Sequence, residues 1–137
     1  MKNEVIFNKI STMERCIKRI QEVYGNNPDN LVDYTKQDSI ILNIQRACEA
    51  SIDLAIHIVA RKKLGLPQSS QEAFDLLVTA SLLSKELAGK LKVIVGFQNI
   101  VIHDYQSVNL DFVHQIIEKH LNYFKLFTKK VLEILEL

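Results

Sequence analysis

The chain has 137 residues, close to the size of one domain, and 47% of them are apolar, enough to bury a core without metal or disulfide staples. Seventeen Lys and Arg against sixteen Asp and Glu leave a formal charge of +1, which excludes a global basic field for holding nucleic acid and makes any RNA contact a local matter. Four glycines and two prolines leave few obligatory breaks and favour few, long helices.

From Asn3 to Tyr24 the residues Val5, Ile6, Ile10, Met13, Cys16, Ile17, Ile20 and Val23 recur every three or four positions, the period of an amphipathic helix. Charges are mixed throughout Met1 to Tyr24, so no secretory signal with an apolar centre is expected. Gly25-Asn26-Asn27-Pro28-Asp29-Asn30 gathers turn formers and predicts the longest connection, over 25–36, with Gln37 or Asp38 opening the next helix. From Asp38 to about Leu64, apolar residues from Ile40 through Cys48, Ser51 and Ile52 to Val59 cover more than one stripe, as in a helix buried on two sides. Gly65-Leu66-Pro67 stops it, and Ser69-Ser70-Gln71-Glu72 reads as the capped start of a short third helix carrying Ala73, Phe74, Leu77 and Val78.

Ser84 before Lys85-Glu86-Leu87 opens a fourth helix that reaches His103; its β-branched runs Val93-Ile94-Val95 and Ile100-Val101-Ile102 are read as helical because Leu87, Leu91, Ile94 and Val95 fall at helix spacing. Gly96 in mid-helix costs about 1 kcal/mol relative to alanine, which points to close approach of another backbone or to a bend. Asn109-Leu110-Asp111 starts one last helix that runs through Phe112, Ile116, Leu121, Phe127 and Leu135 to near Leu137. The expected architecture is all-α, an antiparallel bundle of about five helices forming a single domain over residues 1–137. Cys16 and Cys48 sit inside apolar patterns and are read as buried, reduced thiols of a soluble cytoplasmic protein. No run nears the roughly twenty apolar residues needed to span a bilayer.

The fourth helix ends in Gln98-Asn99-Ile100-Val101-Ile102-His103-Asp104-Tyr105, two amides, a histidine, an acid and a phenol in one short stretch. Asn99 and His103 are four apart and share a face, Gln98 lies about 140° around from His103, and Gln98 and Tyr105, seven apart, align. Histidine titrates near neutrality and can act as base and then acid; a histidine in a last helical turn can equally serve the free carbonyls and the dipole. Asp104 is electrostatically unfavourable at a helix C-terminus, a local misfit of the kind that marks functional positions.

The stretch from Phe97 to Tyr105 resembles the R-N-x-x-x-H-D-Y signature of HepT toxins in the HEPN superfamily, with Gln98 in place of the arginine. Gln45-Arg46-Ala47-Cys48-Glu49-Ala50-Ser51-Ile52-Asp53 is similar to the second-helix pattern of those toxins, and Leu66-Pro67-Gln68-Ser69-Ser70 to their loop. The resemblance implies the toxin of a toxin–antitoxin pair, a metal-independent endoribonuclease working as a homodimer whose interface carries Gln98, Asn99, His103 and Tyr105. His103 would take the proton of a ribose 2′-hydroxyl that attacks the adjacent phosphate, and the motif arginine would neutralise charge building on phosphoryl oxygens. Gln98 keeps only a neutral amide. Loss of one such donor costs about 10²–10³ in rate, so a weakened or inactive nuclease is expected. The resemblance further implies an MntA-type nucleotidyltransferase antitoxin that transfers AMP from ATP to Tyr105, adding bulk and negative charge that repel RNA.

Arg46, Glu49, Asp53 and His57 form a polar stripe on the second helix, read either as an ion-pair ladder or, for Arg46, Glu49 and Asp53, as support facing the fourth-helix motif. Arg61-Lys62-Lys63 and the group Lys85, Lys90 and Lys92 are the candidate local contacts for RNA. Asp111, His114 and Glu118 could be drawn as a metal site, but no second helix repeats the set. No Gly-rich phosphate loop, G-x-S-x-G elbow or cysteine-pair zinc motif is present, so no cofactor or metal is expected. The rival reading is a non-catalytic dimeric scaffold for a nucleotidyltransferase.

Overall fold

A computed structural model describes residues 2–137; position 1 of the expected 1–137 domain lies outside the described residues. Helix α1 (Lys2–Tyr24) ends where Gly25 and Asn26 both take positive φ, 57° and 55°, conformations that glycine and asparagine tolerate best. A short 3₁₀ turn, Pro28–Val32, then leads into α2 (Tyr34–Arg61), which starts before the Gln37 or Asp38 that the sequence pattern suggests. Asp33 is the reason: its carboxylate accepts from the Lys36 backbone N–H, a cap that fixes the helix start. Helices α1 and α2 run antiparallel, tied along their length by Arg61 donating to Asn3 (3.2 Å) and by the Lys9–Asp53 ion pair (2.8 Å).

Ser69 caps α3 (Ser70–Thr79) and Ser84 caps α4 (Lys85–His103), both at the expected positions. The last helix is a continuous helical path, but it is not the one regular element that its apolar pattern suggests. It consists of α5 (Leu110–Gln115), a π turn over Ile116–His120, and α6 (Leu121–Ile134). Helix α4 packs against α2, α3 and α6, while α6 also lies against α1 and α2, so α2 is enclosed in keeping with its two apolar stripes. Ile6, Met13, Ile20, Ile40, Ile44, Leu54, Phe74, Phe124 and Phe127 form the centre of one continuous core. Phe74 and Phe127 meet there edge to face at 5.7 Å. Each such side chain contributes roughly 1.5–3 kcal/mol by leaving water. Both cysteines are buried and free. Among the described residues, no helix is long and apolar enough to cross a membrane.

A Cβ built at Gly96 meets nothing within 4 Å, so no backbone of this chain approaches it, and its open side faces outward. His114 and Glu118 serve packing: the buried Tyr24 hydroxyl donates to Glu118 Oε1 (3.0 Å) and lies 2.8 Å from His114 Nδ1, knitting the end of α1 to the last helix. Burial first, then the Glu118 carboxylate, pushes the Tyr24 phenol up to about 12.

Tyr24→Phe is therefore expected to lower stability by about 0.5–1.5 kcal/mol, the net worth of one hydrogen bond, read as a lower midpoint in urea at pH 7. The pH dependence has a definite sign. The phenol ionises near 10 when unfolded and near 12 when folded, so its contribution is complete below pH 10 and lost as pH rises toward 12. The alkaline loss of stability should be shallower in Tyr24→Phe.

Candidate active site

Helix α4 presents two unlike faces. Ala88, Leu91, Ile94, Val95, Phe97, Gln98 and Val101 are buried, whereas Val93, Asn99, Ile100 and His103 are exposed. The spacing requires this, since Gln98 and His103 are five residues apart and point about 140° from each other. His103 is the last helical residue, and among the described residues no hydrogen bond of this chain holds its ring. A histidine free at a helix end, with a face shared by Asn99, is available to a ligand.

Gln98 is 7% exposed and turned inward. Its Nε2 donates to Glu49 Oε2 at 3.4 Å, and its Oε1 lies 3.8 Å from the Cys48 thiol, both on α2. Burial, with a smaller push from Glu49, raises the Cys48 thiol to about 12, so this neighbour is a neutral, weak donor. Gln98 is thus turned away from the face that Asn99 and His103 share, and its amide is used inside the protomer.

Beyond His103 the chain turns away. Asp104 leaves helical geometry (φ −156°, ψ 82°), its backbone N–H returns to the Ile100 carbonyl at 2.8 Å, and its carboxylate accepts from the Ser107 hydroxyl. The apparent misfit of an acid at this helix end thus has a local explanation: Asp104 closes α4 and fixes the 3₁₀ turn Tyr105–Ser107. Tyr105 is not on α4, so helical alignment with Gln98 does not apply. Its hydroxyl donates to Asp38 of α2. Burial first, then that carboxylate, pushes the phenol up to about 12, while the residue remains 40% exposed. Beside it lies an open cavity of about 420 Å³ lined by Asp38, Ile41, Leu42, Gln45, Val101 and Tyr105.

The remaining predicted residues divide. Glu49 faces the α4 motif through Gln98, but Asp53 is paired with Lys9 of α1, and Arg46 opens onto the α1–α2 groove. No ion pair links Arg46, Glu49 and Asp53 to one another among the described residues, and all three border one groove together with Lys9 and Thr12 of α1. Of the predicted basic groups, Lys92 is paired with Asp75 at 2.8 Å, Lys90 sits 5.8 Å from the Tyr123 ring centre, and Arg61 holds Asn3. Three further cations, Arg15, Arg19 and Arg46, none of them in an ion pair among the described residues, line a groove of about 220 Å³ with Thr12, Cys16 and Asn43. Arg15 and Arg19, four apart on α1, are the only sign of it in the sequence. The sequence marks Asp38 only as a helix opener; nothing local links it to a tyrosine 67 residues away.

The family model described as ribonuclease HepT-like matches residues 13–131. The chain belongs to the ribonuclease HepT-like family. It is 50% identical to the mRNA nuclease HepT of Shewanella oneidensis, over 91% of this chain and 94% of that protein. Its fold matches a solved tri-AMPylated Shewanella oneidensis HEPN toxin in complex with MNT antitoxin, with a TM-score of 0.90, 49% identity, and coverage of 94% of this chain and 97% of that one. A solved toxin–antitoxin with AMP-PNP gives a TM-score of 0.90 at 48% identity, covering 94% of this chain and 98% of that one.

Position 98 lies beside a carboxylate, that of Glu49. Replacing Gln98 by arginine directs a guanidinium toward the Glu49 carboxylate, a charge-assisted pairing that glutamine makes only weakly. Adding Glu49→Gln to Gln98→Arg should then lower the unfolding free energy by about 1–3 kcal/mol relative to Gln98→Arg alone, because a part-buried cation loses its partner. Urea midpoints check this, and equal midpoints would mean that the two side chains do not meet.

Proposed function

We propose that the protein is the toxin of a toxin–antitoxin pair, an endoribonuclease that acts in the cytoplasm as a homodimer and is attenuated by Gln98. The observation that carries this reading is the imidazole of His103, open to solvent at the end of α4 and two residues from the Tyr105 phenol, in a chain half identical to an mRNA nuclease. In this reading His103 removes the 2′-hydroxyl proton of the RNA and later protonates the leaving oxygen, with no metal in the step. Asn99 shares its face and can orient the phosphate. Charge developing on the phosphoryl oxygens meets no arginine from α4, because position 98 supplies an amide that is already bonded to Glu49.

The homodimer is supported by the outward face of α4, where Val93 and Ile100 are 46% and 47% exposed and flank Gly96. A second copy packed there gives Gly96 the neighbouring backbone that its own chain lacks, and brings two His103 side chains toward one cleft. The RNA backbone would reach that cleft past the unpaired arginines of the α1–α2 groove. A nucleotidyltransferase antitoxin would silence the toxin by transferring AMP to Tyr105, whose partly exposed hydroxyl borders an open cavity. The non-catalytic scaffold has one observation in its favour, that the Gln98 amide already has partners at both ends inside the protomer.

Gln98→Arg separates the two readings. The variant is expected to cleave RNA about 10²–10³ faster than the unsubstituted chain and to arrest growth, and His103→Ala in the Gln98→Arg background should abolish both effects. Gel assays of cleaved RNA and growth curves measure this; no gain in cleavage with arginine, and no change with His103→Ala, would leave the scaffold.

A further inference from the structure

Asp38 and Tyr105 come from distant parts of the sequence, and each is anchored on its own element. Asp38 stands in the second turn of α2, whose start is fixed by the Asp33 cap. Tyr105 stands in the 3₁₀ turn held by the Asp104–Ser107 hydrogen bond. The phenol O–H donates to Asp38 Oδ1, with the cavity of about 420 Å³ opening alongside. A hydroxyl that donates to a carboxylate has its oxygen lone pairs directed away from that carboxylate and free to attack. The carboxylate is already placed to receive the proton.

The other charged groups nearby are committed or distant. Asp104 is engaged by Ser107, Asp33 by the backbone N–H of Lys36, and Lys36 Nζ by Asn30 Oδ1 at 3.0 Å. Gln45, the polar group further along the cavity wall, is neutral. His103 is separated from Tyr105 by Asp104, where the chain leaves helical geometry, and no hydrogen bond joins the two side chains. Burial and the neighbouring carboxylate keep the phenol protonated at neutral pH, and a protonated phenol is a poor nucleophile until a base removes its proton.

We propose that Asp38 is the general base for adenylyl transfer to Tyr105. The assignment rests on the reading of Tyr105 as acceptor. The Tyr105 oxygen attacks the α-phosphorus of ATP held by the nucleotidyltransferase, forming the O–P bond of a phosphodiester. The bond from the α-phosphorus to the oxygen bridging to the β-phosphate breaks, and pyrophosphate leaves with that electron pair. The phenol proton passes to the Asp38 carboxylate and from there to water. The step is redox-neutral, and ATP is its only co-substrate. The apolar side chains of Ile41, Leu42 and Val101 line the adjoining cavity, so Asp38 accepts its hydrogen bond on a largely apolar wall.

The test uses the full-length chain with its cognate nucleotidyltransferase antitoxin and Mg-ATP, reading AMP incorporation by intact mass and locating it by peptide mapping. Asp38→Asn keeps size and polarity but cannot take a proton, and should slow modification of Tyr105 by about 10²–10⁴-fold. Asp38→Glu should recover a large part of the rate. The residual rate of Asp38→Asn should rise more steeply with pH than the wild-type rate, as solvent hydroxide replaces the base. Circular dichroism and antitoxin binding of both variants should match the wild-type chain. Modification of Asp38→Asn at the wild-type rate and with the wild-type pH profile would overturn the role of Asp38 while leaving Tyr105 as acceptor. A wild-type chain that takes no AMP at Tyr105 would remove the acceptor reading itself, and the assignment with it.

Discussion

Helix α4 is pressed against α2 by a seam of buried side chains, and the amide of Gln98 lies in that seam between Cys48 and Glu49. The seam fixes the rotation of α4 about its axis, and with it the direction of every polar group at the helix end. Once Gln98 is inward, Asn99 and His103 must be outward, and the chain must leave the helix at Asp104 for Tyr105 to reach α2. A rotation of one residue would turn His103 toward the core and Val101 away from it, at the cost of an apolar contact and an unpartnered imidazole. The candidate site is therefore a consequence of core packing, made where one helix stops.

The chemistry available at that end follows from which charges are present. The outward face offers an imidazole and an amide, a proton carrier and a neutral donor, but no cation from α4. Three guanidiniums, of Arg15, Arg19 and Arg46, line the α1–α2 groove, where burial pushes the Cys16 thiol up and Arg46 and Arg15 pull it back down in part. An RNA strand could be held there by its phosphates, yet charge developing during cleavage needs a fixed donor at the reacting phosphate itself. Position 98 is turned toward Glu49 and away from the outward face of α4. In this chain the position is occupied by a side chain that is complementary to Glu49 and silent toward a phosphate.

Much of this is legible in the sequence, and the parts that are not share a cause. Helical periodicity and the serines at 69 and 84 place α3 and α4, and an advance of about 100° per residue is enough to separate Gln98 from His103. The start of α2 is hidden because Asp33 lies inside a run of turn formers, where its capping role is indistinguishable from turn propensity. The π turn in the last helix leaves no mark on an apolar pattern that tolerates one extra residue per turn. Above all, the partners of the polar groups are distant in sequence: Asp38 with Tyr105, Lys9 with Asp53, Tyr24 with His114 and Glu118. Spacing on one helix can say which residues share a face, but only the packing of helices says what that face meets.

The proposed nuclease depends most on the polar ends of two α4 helices meeting in one cleft. Double electron–electron resonance tests this directly, with a nitroxide attached at Gln106→Cys in the turn after His103, or at Lys63→Cys just past the far end of α2, the two native thiols being buried. Helix α2 spans 28 residues, about 1.5 Å each, so the two labels report on opposite ends of the molecule. A shared cleft predicts one well-defined distance between protomers from position 106, shorter than the one from position 63. No dipolar signal, or the shorter distance arising from position 63, would contradict it.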